Sequence, residues 1–89
     1  MRKVSRTTQF KKDVKRIQKR GKRFDTFKSI IIQLAKGEKL SERFRDHALV
    51  GEYKGSRECH IEPDWLLIYE LTDDEIVLVR TGSHADLFK

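Results

Sequence analysis

The chain has 89 residues, 37% of them hydrophobic and 38% charged, a length that allows one economical core and excludes two, so residues 1–89 are expected to form a single domain. A formal net charge of +6 directs attention to a polyanion or an acidic protein as partner. No apolar run approaches the roughly 20 residues that span a bilayer, MRKVSRTTQF lacks the apolar stretch of a secretory signal, and the lone Cys59 cannot form an internal disulfide, so no membrane role and a cytoplasmic location are expected.

In chain order, Met1 to Ser5 is read as a short opening strand carrying Val4. Thr7 or Thr8 then caps a helix running to Arg20, with Phe10, Val14 and Ile17 as one narrow apolar stripe and Gly21 as its stop. The rest of that helix is basic: Lys11, Lys12, Lys15, Arg16, Lys19 and Arg20. A second helix is predicted from Asp25 or Thr26 to Ala35 or Lys36, with Phe27, Ile30, Ile31 and Leu34 on one side and Gly37 ending it. The two helices read as a hairpin whose apolar stripes need a partner surface.

Residues 38–49 show no clean period and are read as a loop with a helical turn, carrying His47. Four strand candidates follow, GEYKG, RECHIE, WLLIYEL and EIVLVRT, with a tight hairpin at Lys54 to Ser56, a corner at PDW and a turn at TDDE. Trp65 to Tyr69 is apolar without alternation, as expected of a central strand buried on both faces. The fold class is therefore α+β, ordered β-α-α-β-β-β-β, with a mainly antiparallel twisted sheet. Cys59 within a strand is read as a small core residue rather than a nucleophile.

Alternation of side chains puts Cys59 and Ile61 on one face of their strand and Glu58, His60 and Glu62 on the other. In IVLVRT, Val77, Val79 and Thr81 share one face, and Ile76, Leu78 and Arg80 the other. If the helices cover the face bearing Cys59, Ile61, Val77 and Val79, then Glu58, His60 and Arg80 emerge together on the uncovered face. Loops carrying His47, Asp64 and His84 can close around it.

The three histidines, His47, His60 and His84, all lie in the second half in short polar strings, RDH, RECHIEPDW and RTGSH. Histidine titrates nearest neutrality of the side chains, so two or three brought together supply both base and acid of a proton-transfer reaction. Set in a basic protein beside Asp46, Glu58, Asp64 and Arg80, they point to chemistry on RNA.

From Phe44 to Phe88 the chain resembles the YafQ-like branch of the RelE/ParE superfamily of bacterial toxins, through RDHALVGEYKGSRECHIEPDWLLIY and RTGSHADLF. The resemblance implies a RelE-like fold and a ribosome-dependent messenger-RNA endonuclease, the toxin of a type II toxin–antitoxin pair. Such toxins cut translated message in the ribosomal A site and are restrained by a cognate antitoxin; operator DNA is bound only through the antitoxin complex. By motif position His47, His60, His84, Asp64, Trp65, Arg80 and Phe88 are carried over, with Glu58 at an acidic position. None of the catalytic positions is missing.

Metal-free cleavage of RNA by its own 2′-hydroxyl needs a base, an acid and a cation for the phosphate. His84 is assigned as acid, His60 as base with Glu58 or Asp64 assisting, and Arg80 as the phosphate fork; His47 orients phosphate or shares the base role. Phe88 and Trp65 are candidates to stack on a splayed base, core packing being the other reading of Trp65, and Arg57 and Arg45 to bind RNA. No cofactor is expected. Three rivals stand beside this: a zinc site from the histidines and Asp64, although no H-E-x-x-H spacing or cysteine pair is present; a non-catalytic basic nucleic-acid-binding module; and a ParE-like poison of DNA gyrase.

Overall fold

The opening strand and the closing strand lie side by side in one sheet. The computed structural model describes residues 1–88. Strand β1 (Lys3–Arg6) is followed by helices α1 (Thr8–Lys19) and α2 (Asp25–Ala35), then by β2 (His47–Ala48), β3 (Arg57–Glu62), β4 (Trp65–Leu71), β5 (Glu75–Gly82) and a short helix α3 (His84–Leu87). The sheet order is β1-β5-β4-β3-β2, antiparallel except for the parallel pairing of β1 with β5.

Local capping fixes the start of α1 and the end of α2. Thr7 keeps an extended backbone and its hydroxyl accepts the Phe10 amide at 2.9 Å, satisfying one of the free amides of the first turn. At the end of α2, Gly37 adopts a φ of +79°, a left-handed conformation that side chains resist. Its amide and that of Glu38 donate back to Leu34 and Gln33, closing the helix with paired reverse bonds.

The helices cover one face of the sheet. Phe10 and Ile17 of α1 and Phe27, Ile30 and Leu34 of α2 pack against Cys59, Ile61, Trp65, Leu67, Tyr69, Ile76 and Leu78. Burial pushes the Cys59 thiol up to about 12, which fits a packing residue rather than a nucleophile. Trp65 to Tyr69 are buried on both faces, as expected of a central strand. The other face carries a smaller cluster of Leu66, Ile68 and Leu87, joined by Leu49, Tyr53 and Val79, which seats α3.

Two expectations are corrected. GEYKG is no strand: Gly51–Tyr53 form a 3-10 turn, and Gly51 and Gly55 take φ values of +76° and +96° that no strand accommodates. The strand beside β3 is instead His47–Ala48, with His47 opposite Glu58, so His47 is strand-borne rather than loop-borne. The parity assigned to the last strand also fails over its first half. Ile76 and Leu78, not Val77 and Val79, face the helices, because the β4–β5 register shifts between Ile68 and Tyr69: Tyr69 pairs with Leu78 but Ile68 with Arg80. The extra residue, Val79, is a bulge. Beyond it Thr81 pairs with Leu67 on the covered side and Arg80 with Ile68 on the open side, as predicted.

Candidate active site

Register brings the candidate residues of the open face together. His47 pairs with Glu58, Glu58 with Ile68 and Ile68 with Arg80, a row crossing β2, β3, β4 and β5. One step along, His60 pairs with Leu66 and Leu66 with Gly82, which leads directly into α3. The His60 ring is the centre of the group, 6.4 Å from the His47 ring and 5.7 Å from the His84 ring.

Each histidine has a carboxylate. Glu58, nearly buried, places Oε1 3.5 Å from His47 Nε2 and 3.4 Å from His60 Nε2, so one anion serves two rings. His47 Nδ1 also meets the Arg45 carbonyl at 2.6 Å. Asp64 Oδ1 accepts the His84 backbone amide at 2.8 Å and lies 2.7 Å from His84 Nδ1. Those two contacts, the amide first, hold the Asp64 carboxyl below the usual carboxylate range. With Nδ1 directed to Asp64, the Nε2 edge of His84 is the one left for a ligand.

Two further parts of the candidate site are fixed from α1 and its C-terminal end. Arg80 donates from Nε and Nη2 to Asp13 at 2.7 and 3.2 Å. Helix α3 begins with a reciprocal cap, the Ser83 hydroxyl accepting the Asp86 amide while the Asp86 carboxylate accepts the Ser83 amide. Arg20, which caps the end of α1, clasps the same Asp86 through Nη1 and Nη2 at 2.7 and 2.9 Å. Gly82 is required by this closeness, since a Cβ there would lie 2.9 Å from the Asp86 Cβ.

Arg20 foremost, with the Ser83 contacts, holds the Asp86 carboxyl well below its ordinary range, against the opposing effect of burial. The unfolded chain therefore binds this proton first, and the contribution is complete above the ordinary aspartate value near 4 and is lost as pH falls toward the folded value. Melts between pH 7 and about 2 should show a steeper acid loss for the parent than for Asp86→Asn. Equal slopes would remove Asp86 from the account.

Not every expected RNA contact reaches this face. Trp65 is 2% exposed; it stacks on Phe27 with centroids 5.5 Å apart and donates Nε1–H to Thr81 Oγ1 at 2.9 Å. Its assignment as a base-stacking residue is therefore corrected to core packing: it points to the helix side of β4 and no ring face is free. Arg57 lies on the opposite face of β3 from Glu58 and His60, beside Tyr69, and is paired with Asp46 at 3.2 Å, so it is not brought to the histidines. Phe88 is 43% exposed, its ring set edge-on to Tyr53 at 5.9 Å. Arg45 is close by: with Arg43, Phe44, Glu62 and Pro63 it lines a groove of about 370 Å³ that begins at His60.

Asp13 and Asp86 were missed in the sequence. Asp13 carried a signal, an acidic residue three before Val14's helical neighbour Arg16 and beside the apolar stripe of a basic helix. Asp86 carried another, since S-H-A-D has capping-box spacing. Among the described residues, no group of three or more His, Cys, Asp or Glu side chains is placed to hold a metal ion. No helix among them is long and apolar enough to cross a membrane.

The family described as the bacterial toxin of a type II toxin–antitoxin system, YafQ, matches residues 2–89. The chain belongs to the YafQ toxin family. Among YafQ relatives, the "mRNA interferase toxin YafQ" of Escherichia coli strain K12 is 46% identical over 81 residues, 90% of this chain and 88% of the relative. The toxin in the crystal structure of the E. coli DinJ–YafQ toxin–antitoxin complex is 43% identical, with a TM-score of 0.91 over 99% of this chain and 98% of that one. A metal-bound toxin from Helicobacter pylori is 36% identical, with a TM-score of 0.91 over 99% of this chain and all of the other. The RelE-like α+β architecture expected from the resemblance is thus the architecture of YafQ toxins.

Proposed function

We propose that this YafQ-family toxin is an endoribonuclease that cuts messenger RNA in the ribosomal A site, in the cytoplasm, and is restrained by a cognate antitoxin. The observation that carries the reading is the placement of His60 between His47 and His84 on a sheet face that also bears Glu58 and Arg80. The mRNA-interferase name of the E. coli relative supports the activity, and the DinJ–YafQ complex supports an antitoxin partner. The formal charge of +6 suits both RNA and an acidic antitoxin, and operator DNA is reached only through the antitoxin.

In the proposed reaction His60 takes the 2′-hydroxyl proton, with Glu58 stabilising the imidazolium and His47 sharing that carboxylate. The 2′-oxygen bonds to phosphorus as the bond from phosphorus to the 5′-oxygen breaks. His84, oriented by Asp64, protonates the departing oxygen, leaving a 2′,3′-cyclic phosphate and a free 5′-hydroxyl. Arg80 stabilises charge on the phosphate, Arg45 holds the strand and Phe88 stacks on a base.

No step in this scheme passes through a metal. Cleavage of message on translating ribosomes should therefore continue in excess chelator, whereas the metal-bound H. pylori relative makes dependence on a cation the outcome that would overturn the scheme. In the same assay Arg80→Lys, which keeps the charge but loses the planar fork, should cleave at least about tenfold more slowly. Inhibited DNA supercoiling with uncut message would indicate a gyrase poison instead.

A further inference from the structure

Asp13 is fully buried, yet it is a carboxylate in the most basic helix of the chain. A buried carboxylate is costly unless every oxygen is paired, and here both are. Oδ2 accepts Arg80 Nε at 2.7 Å and the Thr81 amide at 3.2 Å; Oδ1 accepts Arg16 at 2.9 Å and Arg80 and Gln9 at 3.2 Å each. Packing alone would be served by an apolar side chain at this position of α1. We infer that Asp13 is a positioning residue that holds the Arg80 guanidinium in place for the scissile phosphate. This rests on the role proposed above for Arg80.

The topology explains why a helix residue does this. Strand β1 accompanies β5 only as far as Arg6 opposite Leu78, and Thr7 then bonds to the Leu78 and Val79 carbonyls. Past the bulge at Val79 the edge of β5 has lost its strand partner, and Asp13 takes the Thr81 amide there. One side chain thus fixes both the backbone that carries Arg80 and the guanidinium itself. Arginine has five N–H donors, and Asp13 engages Nε and one on Nη2, which leaves the Nη1–Nη2 edge, with the Tyr53 hydroxyl beside the guanidinium, to receive an anion. An arginine held in advance needs no reordering when the phosphate arrives.

The test is a double-mutant cycle on message cleavage with translating ribosomes, using full-length Asp13→Asn, Arg80→Ala and the double variant. Asp13→Asn, nearly the same size, should slow cleavage by about 100-fold in the parent and by less than about 3-fold when Arg80 is already alanine. An equal loss in both backgrounds would make Asp13 merely structural, and an unchanged rate would overturn the inference outright. If Arg80→Ala cleaves like the parent, the role of Arg80 itself fails, which is a different result. Thermal melts keep all comparisons below the transition. Should Asp13→Asn melt under the assay temperature, Asp13→Glu, which keeps the charge but displaces it by one methylene, carries the same cycle.

Discussion

His84→Ala is expected to slow message cleavage by about 10²–10⁴-fold while leaving the fold intact. The side chain is 53% exposed and its one paired nitrogen meets Asp64, so its removal empties no core space. The first turn of α3 keeps its Ser83–Asp86 cap and its clasp to Arg20, neither of which involves the imidazole. Loss of activity at an unchanged melting temperature is therefore the signature of a side chain that serves the reaction rather than the fold. His60→Ala should lose activity on the same scale, but its ring is only 16% exposed and some stability should go with it. Cleavage rates measured by primer extension on translating ribosomes, alongside melts of each variant, decide the matter. Parent-like cleavage by both variants would sink the acid–base assignment.

Trp65→Ala should do the opposite, costing about 3–5 kcal/mol of stability through the cavity it leaves. The indole joins the two layers: it packs against Phe24 and Phe27 and its N–H ends on Thr81, which in turn donates to the Leu66 carbonyl. Trp65→Phe should retain much of the packing and lose about 1 kcal/mol for the hydrogen bond, together with some contact area. Urea titration measures both. A Trp65→Ala protein that unfolds like the parent but fails to cut RNA would return this residue to the RNA-binding surface, against its burial.

The helices, their ends and the central strand were legible because each rests on a local rule. Thr7 caps, Gly37 stops, and the unbroken apolar run Trp65 to Tyr69 is what burial on two faces requires. The open face was legible as far as alternation held, which is why Glu58, His60 and Arg80 were correctly grouped. What alternation cannot display is a bulge: the extra residue at Val79 reverses the first half of β5, yet restores the predicted sides of Arg80 and Thr81. Asp13 illustrates the same difficulty over a longer range. Its partners Arg80 and Thr81 are 67 and 68 residues away in the chain, and no local pattern connects them. Trp65 beside Asp64 was ambiguous in the motif because the turn residue Asp64 reaches His84 while Trp65, the first residue of β4, points into the core.

The neighbouring of β1 and β5 bears on how such a protein is made. Its first strand finds its partner only after Glu75 to Leu78 have been synthesised, and His84 is added later still. Domains emerge from the ribosome N-terminal end first, so until β5 has been made the two helical segments lack the strand that joins β1 to the sheet. The histidines of the open face therefore come together only when α3 has folded back over β4 and β5.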